Sequence, residues 1–439
     1  MSMNRRDLIR TTAGLAVGAA SARLIGPSAA RAADSFNIEP EKGASLRVTR
    51  WSPFVSGDEK QWLANTAQFT KDTGIEVRID KESWEDIRPK AAVAANVGSG
   101  PDIMWVWFDD PQQYPDKLLD VTDLANYLGN KYGGWYDGPK AYATNNGKFV
   151  GLPLATIGNA MVYRKSIVEK AGFSEFPKDT DSFLKLCQAL KSKGLTPAGF
   201  TLGHGVGDGN NYVHWLLWSH DGKVVDEKGN VTLDSPETIE AIKYSNALYK
   251  TFIPGTESWL DVNNNRAFLA GQVSVIANGV SAYYAAKNDP KLEDIAKDIG
   301  TTNLPVGKSG KDVELHQVTS TVIFKYTKYP KAAMRYLQYM FEKPQMDKWI
   351  EASSAYCCQT LKAYAENPIW KADPVFAPYA RASATLRTNG YAGPLGPASA
   401  GVMADYVLVD MFAEAATGQR TPEQAAKRAA ERAKRYYRS

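Results

Sequence analysis

An α/β fold with parallel strands is predicted by three features of this sequence. Strand-like and helix-like segments alternate along the chain from residue 45 onward. Two strand–helix units precede residue 110, and a third, continuously apolar run, DIMWVWF, follows them. Alternation of this kind marks layered α/β architecture, and a strand that is apolar on both faces belongs inside a parallel sheet. The 439 residues, 44% hydrophobic and 23% charged, hold enough material for two or three domains and a sizeable core.

The elements follow in order. SLRVTRW, residues 45–51, reads as the first strand. EKQWLANTAQFTKDTG, 59–74, reads as a helix closed by Gly74 at its C-cap. IEVRID places Ile75, Val77 and Ile79 on one face, a second strand. WEDIRPKAAVAANVGSG reads as a helix interrupted at Pro89. Further on, Ser235-Pro236 and Thr421-Pro422 each set a capping side chain before a proline at the first helical position, and Gln424 completes a capping box with Thr421. Lys434, Arg435 and Arg438 close the last helix, where positive charge meets the dipole favourably. In GKFVGLPLATIGNAMVYRK, a strand reaches Pro153, meets Gly158-Asn159 and resumes. Passage between two lobes and a plain bulged strand both fit that pattern.

Residues 1–32 read as an export signal. NRRDLIR, a short Gly- and Ala-rich apolar segment and Ala30-Arg31-Ala32 match a twin-arginine leader cut after Ala32. The apolar segment falls short of the roughly 20 residues that span a bilayer. Removing residues 1–32, with five Arg and one Asp, leaves 47 basic and 47 acidic side chains. A near-neutral chain has no electrostatic reason to bind nucleic acid or an anionic membrane. Of the three cysteines, Cys187 reads as a small buried residue, and a bond between Cys357 and Cys358 would be strained.

The familiar catalytic signatures are missing: no GxSxG, no HExxH, no C-x-x-C. Lys308 lies in GTTNLPVGKSG, whose glycine spacing is wrong for a phosphate loop. His204, His214 and His220 cluster without a metal-ligand spacing, so no metal and no cofactor is expected. Asp109 and Asp110, ending the third strand, do not make a glycosidase pair, since adjacent side chains on an extended chain point apart. What stands out instead is aromatic content: 11 Trp, 22 Tyr and 15 Phe. Sugars present apolar C–H faces and a hydroxyl rim, which call for flat rings and for Asp, Asn or Arg. Ligands of open parallel sheets bind at strand carboxyl ends. Trp107, Phe108, Asp109 and Asp110 end such a strand, with Trp105 behind them as core and Trp107 either core or stacking surface.

Taken in order, these segments resemble the family 1 extracellular solute-binding proteins, the sugar receptors of ABC importers in the maltose-binding-protein group. The resemblance rests on GSGPDIMWVWFDD, GKFVGLPLATIGNAMVYRKSIVEKAG, FPKDTDSFLKLCQALKSKG, NNRAFLAGQVSVIANGVSAYY, TSTVIFKYTKYPKAAMRYLQYMFEKPQMDKWIEAS and FAEAATGQRTPEQAAKRAAERAKR. It implies a type II periplasmic binding fold with two α/β lobes, three crossovers and a ligand cleft between them. The first lobe would comprise 33–153 plus about 320–375, the second 154–319 plus about 376–439. It implies a periplasmic monomer without catalysis that captures a carbohydrate by hinge closure and docks on ABC permease subunits in the inner membrane. Carried over by motif, its ligand-binding positions are Trp51, Ser52, Phe54, Trp107, Asp109 and Asp110 in the first lobe and Thr156 and Asn159 at the first crossover. In the second lobe they are Asn210, Asn211, Tyr212, Trp215, Asn278 and Gly279, then Arg387, Asn389 and Tyr391 in a late loop. Val280 and Ser281 stand where members often carry Trp. A receptor for a polyamine or other small cation, and a secreted glycoside hydrolase, are the alternatives.

Overall fold

The computed structural model describes residues 36–312 and 314–438, so the expected export signal lies outside the described residues. Strand β1, Ser45–Trp51, buries Leu46, Val48, Arg50 and Trp51. The chain then enters helix α1, Ser56–Thr73, which ends where Gly74 takes the left-handed conformation that the sequence predicts there. β2, Glu76–Glu82, pairs parallel to β1. Helix α2, Ile87–Val97, follows. Pro89 does not interrupt it but sits in its first turn, where a missing N–H costs nothing. β3, Ile103–Trp107, is buried at all five positions and pairs parallel to β1 on its other side.

The remaining strands are β4, Thr144–Asn145, β5, Lys148–Phe149, β6, Leu152–Ile157, β7, Ala160–Arg164, β8, Val275–Asn278, β9, Ile299–Thr302, and β10, Gln317–Ile323. The larger sheet runs β2-β1-β3-β10-β6 and the smaller β8-β7-β9. The parallel pairing expected from the units before residue 110 holds for β1, β2 and β3. β10 runs antiparallel to both β3 and β6, because it returns from the second sheet and enters the first from the opposite end. All pairs of the second sheet are antiparallel.

β6 belongs to the first sheet as far as Ile157, and β7 opens the second at Ala160, so Gly158 and Asn159 form a crossing rather than a bulge. The pairing carries 154–157, which the sequence reading gives to the second lobe, along with the first sheet. The segment from β9 to β10 crosses back. A third strand of chain passes beside them, where Thr156 and Cys358 exchange backbone hydrogen bonds of 3.0 and 2.9 Å. Three crossings thus lie side by side. Cys187, Cys357 and Cys358 are all buried and unbonded.

The first lobe is built around indoles. Trp62, Trp105 and Trp349 pack edge to face, with ring centroids 4.6 to 5.9 Å apart. The fully buried guanidinium of Arg50 lies 4.2 Å over Trp105 and pairs with Asp58 at 2.5 Å. Asp58 also accepts from Trp349 Nε1 at 2.7 Å, tying α1 to the helix Lys343–Ala352. In the second lobe, Ser235 and Thr421 cap their helices as the sequence predicts, and Thr421 and Gln424 form the reciprocal box. Among the described residues no helix is long and apolar enough to cross a membrane.

Two outcomes follow for stability. Asp58→Ala leaves Arg50 buried without a counter-charge, which costs about 3–5 kcal/mol; a urea midpoint shift equivalent to less than about 1 kcal/mol would contradict this role. His214 is buried and its Nδ1 lies 2.7 Å from the Asn210 carbonyl. Burial pushes its pKa down to about 4, while the unfolded chain protonates it near 6.5. The unfolded state therefore takes the proton first, and the stability His214 gives is full above about pH 6.5 and lost as pH falls toward 4. His214→Gln is expected to flatten the stability–pH slope between pH 6.5 and 4.5 relative to the parent; parallel slopes would refute it.

Candidate functional site

The three crossings form the floor of a cavity between the sheets. From the first lobe come Phe54, Trp84 and Tyr356; from the floor, Ile157, Gly158 and Gln317; from the second lobe, Asp208, Asn211, Asp261, Asn265, Asn278, Gly279 and Ser281. Phe54 and Trp84 follow the carboxyl ends of β1 and β2, as ligand contacts of open sheets do. The cavity holds only about 20 Å³, room for a water, against the 300–1,000 Å³ of ordinary ligand pockets. The cleft is therefore shut, and its two walls touch.

The touch is specific. Trp84 donates its Nε1 proton across the cleft to Asp261 at 2.7 Å. Asp261 opens the helix Asp261–Leu269 and faces the N-terminus of the helix Asp208–Ser219. There it also accepts from the backbone N–H groups of Gly207, 2.8 Å, and Asp208, 2.9 Å. An anion at a helix N-terminus is favoured both by those donors and by the dipole. A Cβ on Gly205 would run into Asp261 Oδ1, and one on Gly207 into Gln317 Oε1, so a side chain at either position would displace a polar group of the site. Burial raises the pKa of Asp261, and its three N–H donors hold it back. For Asp208, burial acts first, the charge of Asp261 adds to it, and only Asn264 opposes; the shift is upward and larger. The pair thus carries one firm charge, on Asp261, and one carboxyl that tends to hold its proton.

A chain of amides lines the second wall. Asn264 Nδ2 donates to Asp208 at 2.7 Å, Asn278 donates to Asn265, and Asn265 donates to Ser281 at 3.2 Å. Asn211 Oδ1 and Gln317 Nε2 are buried without a partner among the described residues. The opposing wall is aromatic. Trp84 lies 4.3 Å from Trp107 and 5.0 Å from Phe54, and Phe54 lies 6.4 Å from Tyr356. Rings face acids and amides across the gap, the pairing a polyhydroxylated molecule requires.

Of the residues expected at the site from sequence, Phe54, Asn211, Asn278 and Gly279 line this cavity. Trp51 and Trp107 do not: both are fully buried, and they back Trp84, with Trp107 Nε1 donating to the Trp84 carbonyl at 3.1 Å. Ser52 extends the β1–β2 ladder through its N–H and is exposed. Asp109 and Asp110 turn away into a separate buried cluster around Arg88. Arg88 lies 2.5 Å from Asp110 and 4.0 Å from Asp109. Asp110 accepts from the Trp107 N–H at 3.0 Å, and Asn389 donates to Asp109 at 2.6 Å while Tyr142 holds Asn389 at 2.9 Å. Burial pushes Asp110 up to about 6, against the pull of Arg88. This cluster fastens the late loop to the first lobe, and the left-handed φ of 41° at Phe108 turns both carboxylates toward Arg88.

The other expected residues are also placed by packing. Thr156 Oγ1 and Ser383 Oγ lie 2.7 Å apart beneath the crossings. Asn159 donates its backbone N–H to His316 Nδ1 at 3.0 Å, and His316 Nε2 lies 3.0 Å from Glu314, so two crossings are joined there. Asn210 donates to the Val206 carbonyl, Tyr212 stacks on Phe200 at 4.9 Å, and Trp215 donates to the Pro305 carbonyl. Arg387 and Tyr391 pack on each other at 4.2 Å, beside Trp218. His204 sits on Asp410 at the surface and His220 Nδ1 lies 3.0 Å from the Leu216 carbonyl. Among the described residues no group of His, Cys, Asp or Glu has a metal-binding arrangement. Sequence reasoning missed Trp84, Asp208, Asp261, Asn265, Gln317 and Tyr356. DVNNN, residues 261–265, was a visible signal: four amide or acid side chains at the start of a helix.

Comparison with known proteins gives the same architecture a family. The model of the bacterial extracellular solute-binding proteins matches residues 64–378. The maltodextrin-binding protein MdxE of Bacillus subtilis is 24% identical over 342 residues, 74% of this chain and 76% of that protein. Maltose-bound MalE3 of T. maritima superposes with a TM-score of 0.77 at 21% identity, covering 89% of this chain and 99% of that one. A solute-binding protein of Thermotoga lettingae bound with α-D-tagatose superposes with a TM-score of 0.76 at 19% identity, over 90% and 100% of the two chains. These likenesses show a two-lobed, type II periplasmic binding fold.

Two indoles of one cluster are expected to respond differently. Trp107→Ala removes a buried core ring and costs about 3–5 kcal/mol of stability. Trp84→Phe keeps a ring but deletes the N–H that reaches Asp261, costing about 1–3 kcal/mol at most and widening the distribution of lobe separations seen by X-ray scattering. Equal losses of stability in both variants, with unchanged scattering, would refute the distinction.

Proposed function

The chain belongs to the bacterial extracellular solute-binding proteins, and on that premise we propose that it is the periplasmic receptor of an ABC importer that captures a carbohydrate between its lobes. The observation that carries this reading is the make-up of the two cleft walls. Phe54, Trp84 and Tyr356 offer flat rings from one side; Asp208, Asn211, Asp261, Asn265 and Asn278 offer acids and amides from the other. Sugar C–H faces take the rings, and the hydroxyl rim takes the polar wall.

Capture is by closure. With the walls in contact no saccharide fits, so the lobes separate about the three crossings, admit the ligand and close on it. The Trp84–Asp261 hydrogen bond is then exchanged for contacts with the ligand. The closed form docks on the permease, and the receptor itself performs no chemistry. Residues 1–32 serve as a twin-arginine leader, and mass spectrometry of the exported protein is expected to find Ala33 at its N-terminus.

The test is a thermal-shift and calorimetric screen with mono- to oligosaccharides, alongside spermidine. A saccharide at 100 times its Kd adds about 2.7 kcal/mol of stability and is recovered unchanged after long incubation. Stabilisation by spermidine alone would replace this reading with a polyamine receptor, and conversion of an oligosaccharide would replace it with a hydrolase.

A further inference from the structure

We propose that the captured polyol carries a protonated amine, seated on the Asp208 carboxylate, so that the receptor selects amino sugars or amino-polyols over their neutral counterparts. The inference rests on the carbohydrate reading above and narrows its ligand class.

The charge in the cavity is one-sided. Two carboxylates line it, and among the described residues no Lys, Arg or His does. The two acids are not equivalent. Asp261 is largely used: the backbone N–H groups of Gly207 and Asp208 hold it within its own lobe even when Trp84 turns to the ligand, and it covers the helix N-terminus that would otherwise repel a cation. Asp208 accepts only from Asn264, on Oδ2, and keeps part of its surface open toward the cavity. Its second oxygen accepts from no described residue. The titratable groups around Asp208 are Asp261, Tyr356 and Tyr379; none supplies a positive charge.

A second observation points to a ligand with both donors and acceptors. Asn211 Oδ1 and Gln317 Nε2, on residues 4% and 3% exposed, line the same cavity and have no partner among the described residues. A buried polar atom left unpaired costs about 1–3 kcal/mol, so a hydroxyl-bearing guest gains by satisfying them. Phe54, Trp84 and Tyr356 close the opposite side, and aromatic faces favour an ammonium as well as a sugar ring. With a neutral guest, the Asp208 carboxyl stays buried beside Asp261 and keeps its proton. An ammonium takes the proton's place: Asp208 ionises, an N–H···O⁻ bond forms, and one proton leaves to solvent.

The experiment is titration calorimetry of the full mature protein at pH 6.5, where the sugar amine is already protonated, in two buffers of different ionisation heat, with matched pairs. Glucose is set against glucosamine, galactose against galactosamine, and cellobiose against the β-1,4-linked glucosamine disaccharide, with spermidine as the non-sugar amine. The expected result is at least tenfold tighter binding of an aminated member, with about one proton released. Asp208→Asn is expected to reduce that preference below threefold; should the variant fail to fold, the wild-type ratio and proton count decide. Neutral sugars binding as tightly as their amino counterparts, without proton release, would overturn this proposal and leave the carbohydrate reading intact. Spermidine alone binding, or no heat with any compound, would overturn both.

Discussion

Asp261 is held by three N–H donors drawn from both halves of the molecule, and the closed cleft depends on that convergence. Two of the donors are backbone groups of Gly207 and Asp208 at a helix start, which fix the carboxylate within its own lobe. The third is the indole of Trp84 from the opposite wall. A carboxylate buried in this way is tolerable only when its lone pairs are matched. Two glycines leave the space it occupies. The anion is therefore part of the second lobe whether or not the lobes touch, and the indole is the variable partner.

That places a demand on Trp84, which must be aimed. Its ring rests against Trp107 and Trp51, and its carbonyl accepts from Trp107. Trp51 in turn packs on Trp105, over which the Arg50–Asp58 ion pair is buried. A single stack of indoles thus runs from the centre of the first lobe to the cleft. Its members close to the core are fully buried and serve packing; only the last reaches the cavity. The same logic explains Asp109 and Asp110. Two carboxylates at a strand end can serve a ligand or a structural cation, and Arg88 on α2 claims them.

This is why the fold was more legible than the site. Strand and helix periods, the Gly74 cap and the Thr421–Gln424 box are local patterns, and the structure contains each of them, whereas at Gly158–Asn159 the sequence left crossing and bulge open and the pairing decides for the crossing. The antiparallel entry of β10 is not local: nothing in QVTSTVI says from which lobe the chain returns. At the site the difficulty is depth. The sequence placed Trp51 and Trp107 at strand ends but could not say that Trp84, read as part of a helical segment, would cover them. Nor could it say that Arg88, the second residue of α2, would face Asp110 rather than solvent. Asp208 stood in the very loop, GDGNN, whose two asparagines were expected at the ligand, yet its role depends on Asp261, 53 residues away in the chain.

Closure and selectivity are then two aspects of one exchange. The closed cleft already satisfies Trp84 and Asp261 with each other, so a guest must offer at least as much to both walls before the lobes shut around it. A ring stacked on Phe54 and Trp84 gains on the first wall only. Hydroxyls that reach Asn211 on the second wall and Gln317 on the floor gain there, because those groups have nothing to give up. The asymmetry means that polar contacts to the free amides count in full, whereas a contact to Asp261 counts only by its difference from the Trp84 bond it replaces. A ligand is therefore ranked less by how many hydrogen bonds it makes than by which wall atoms it finds unpaired.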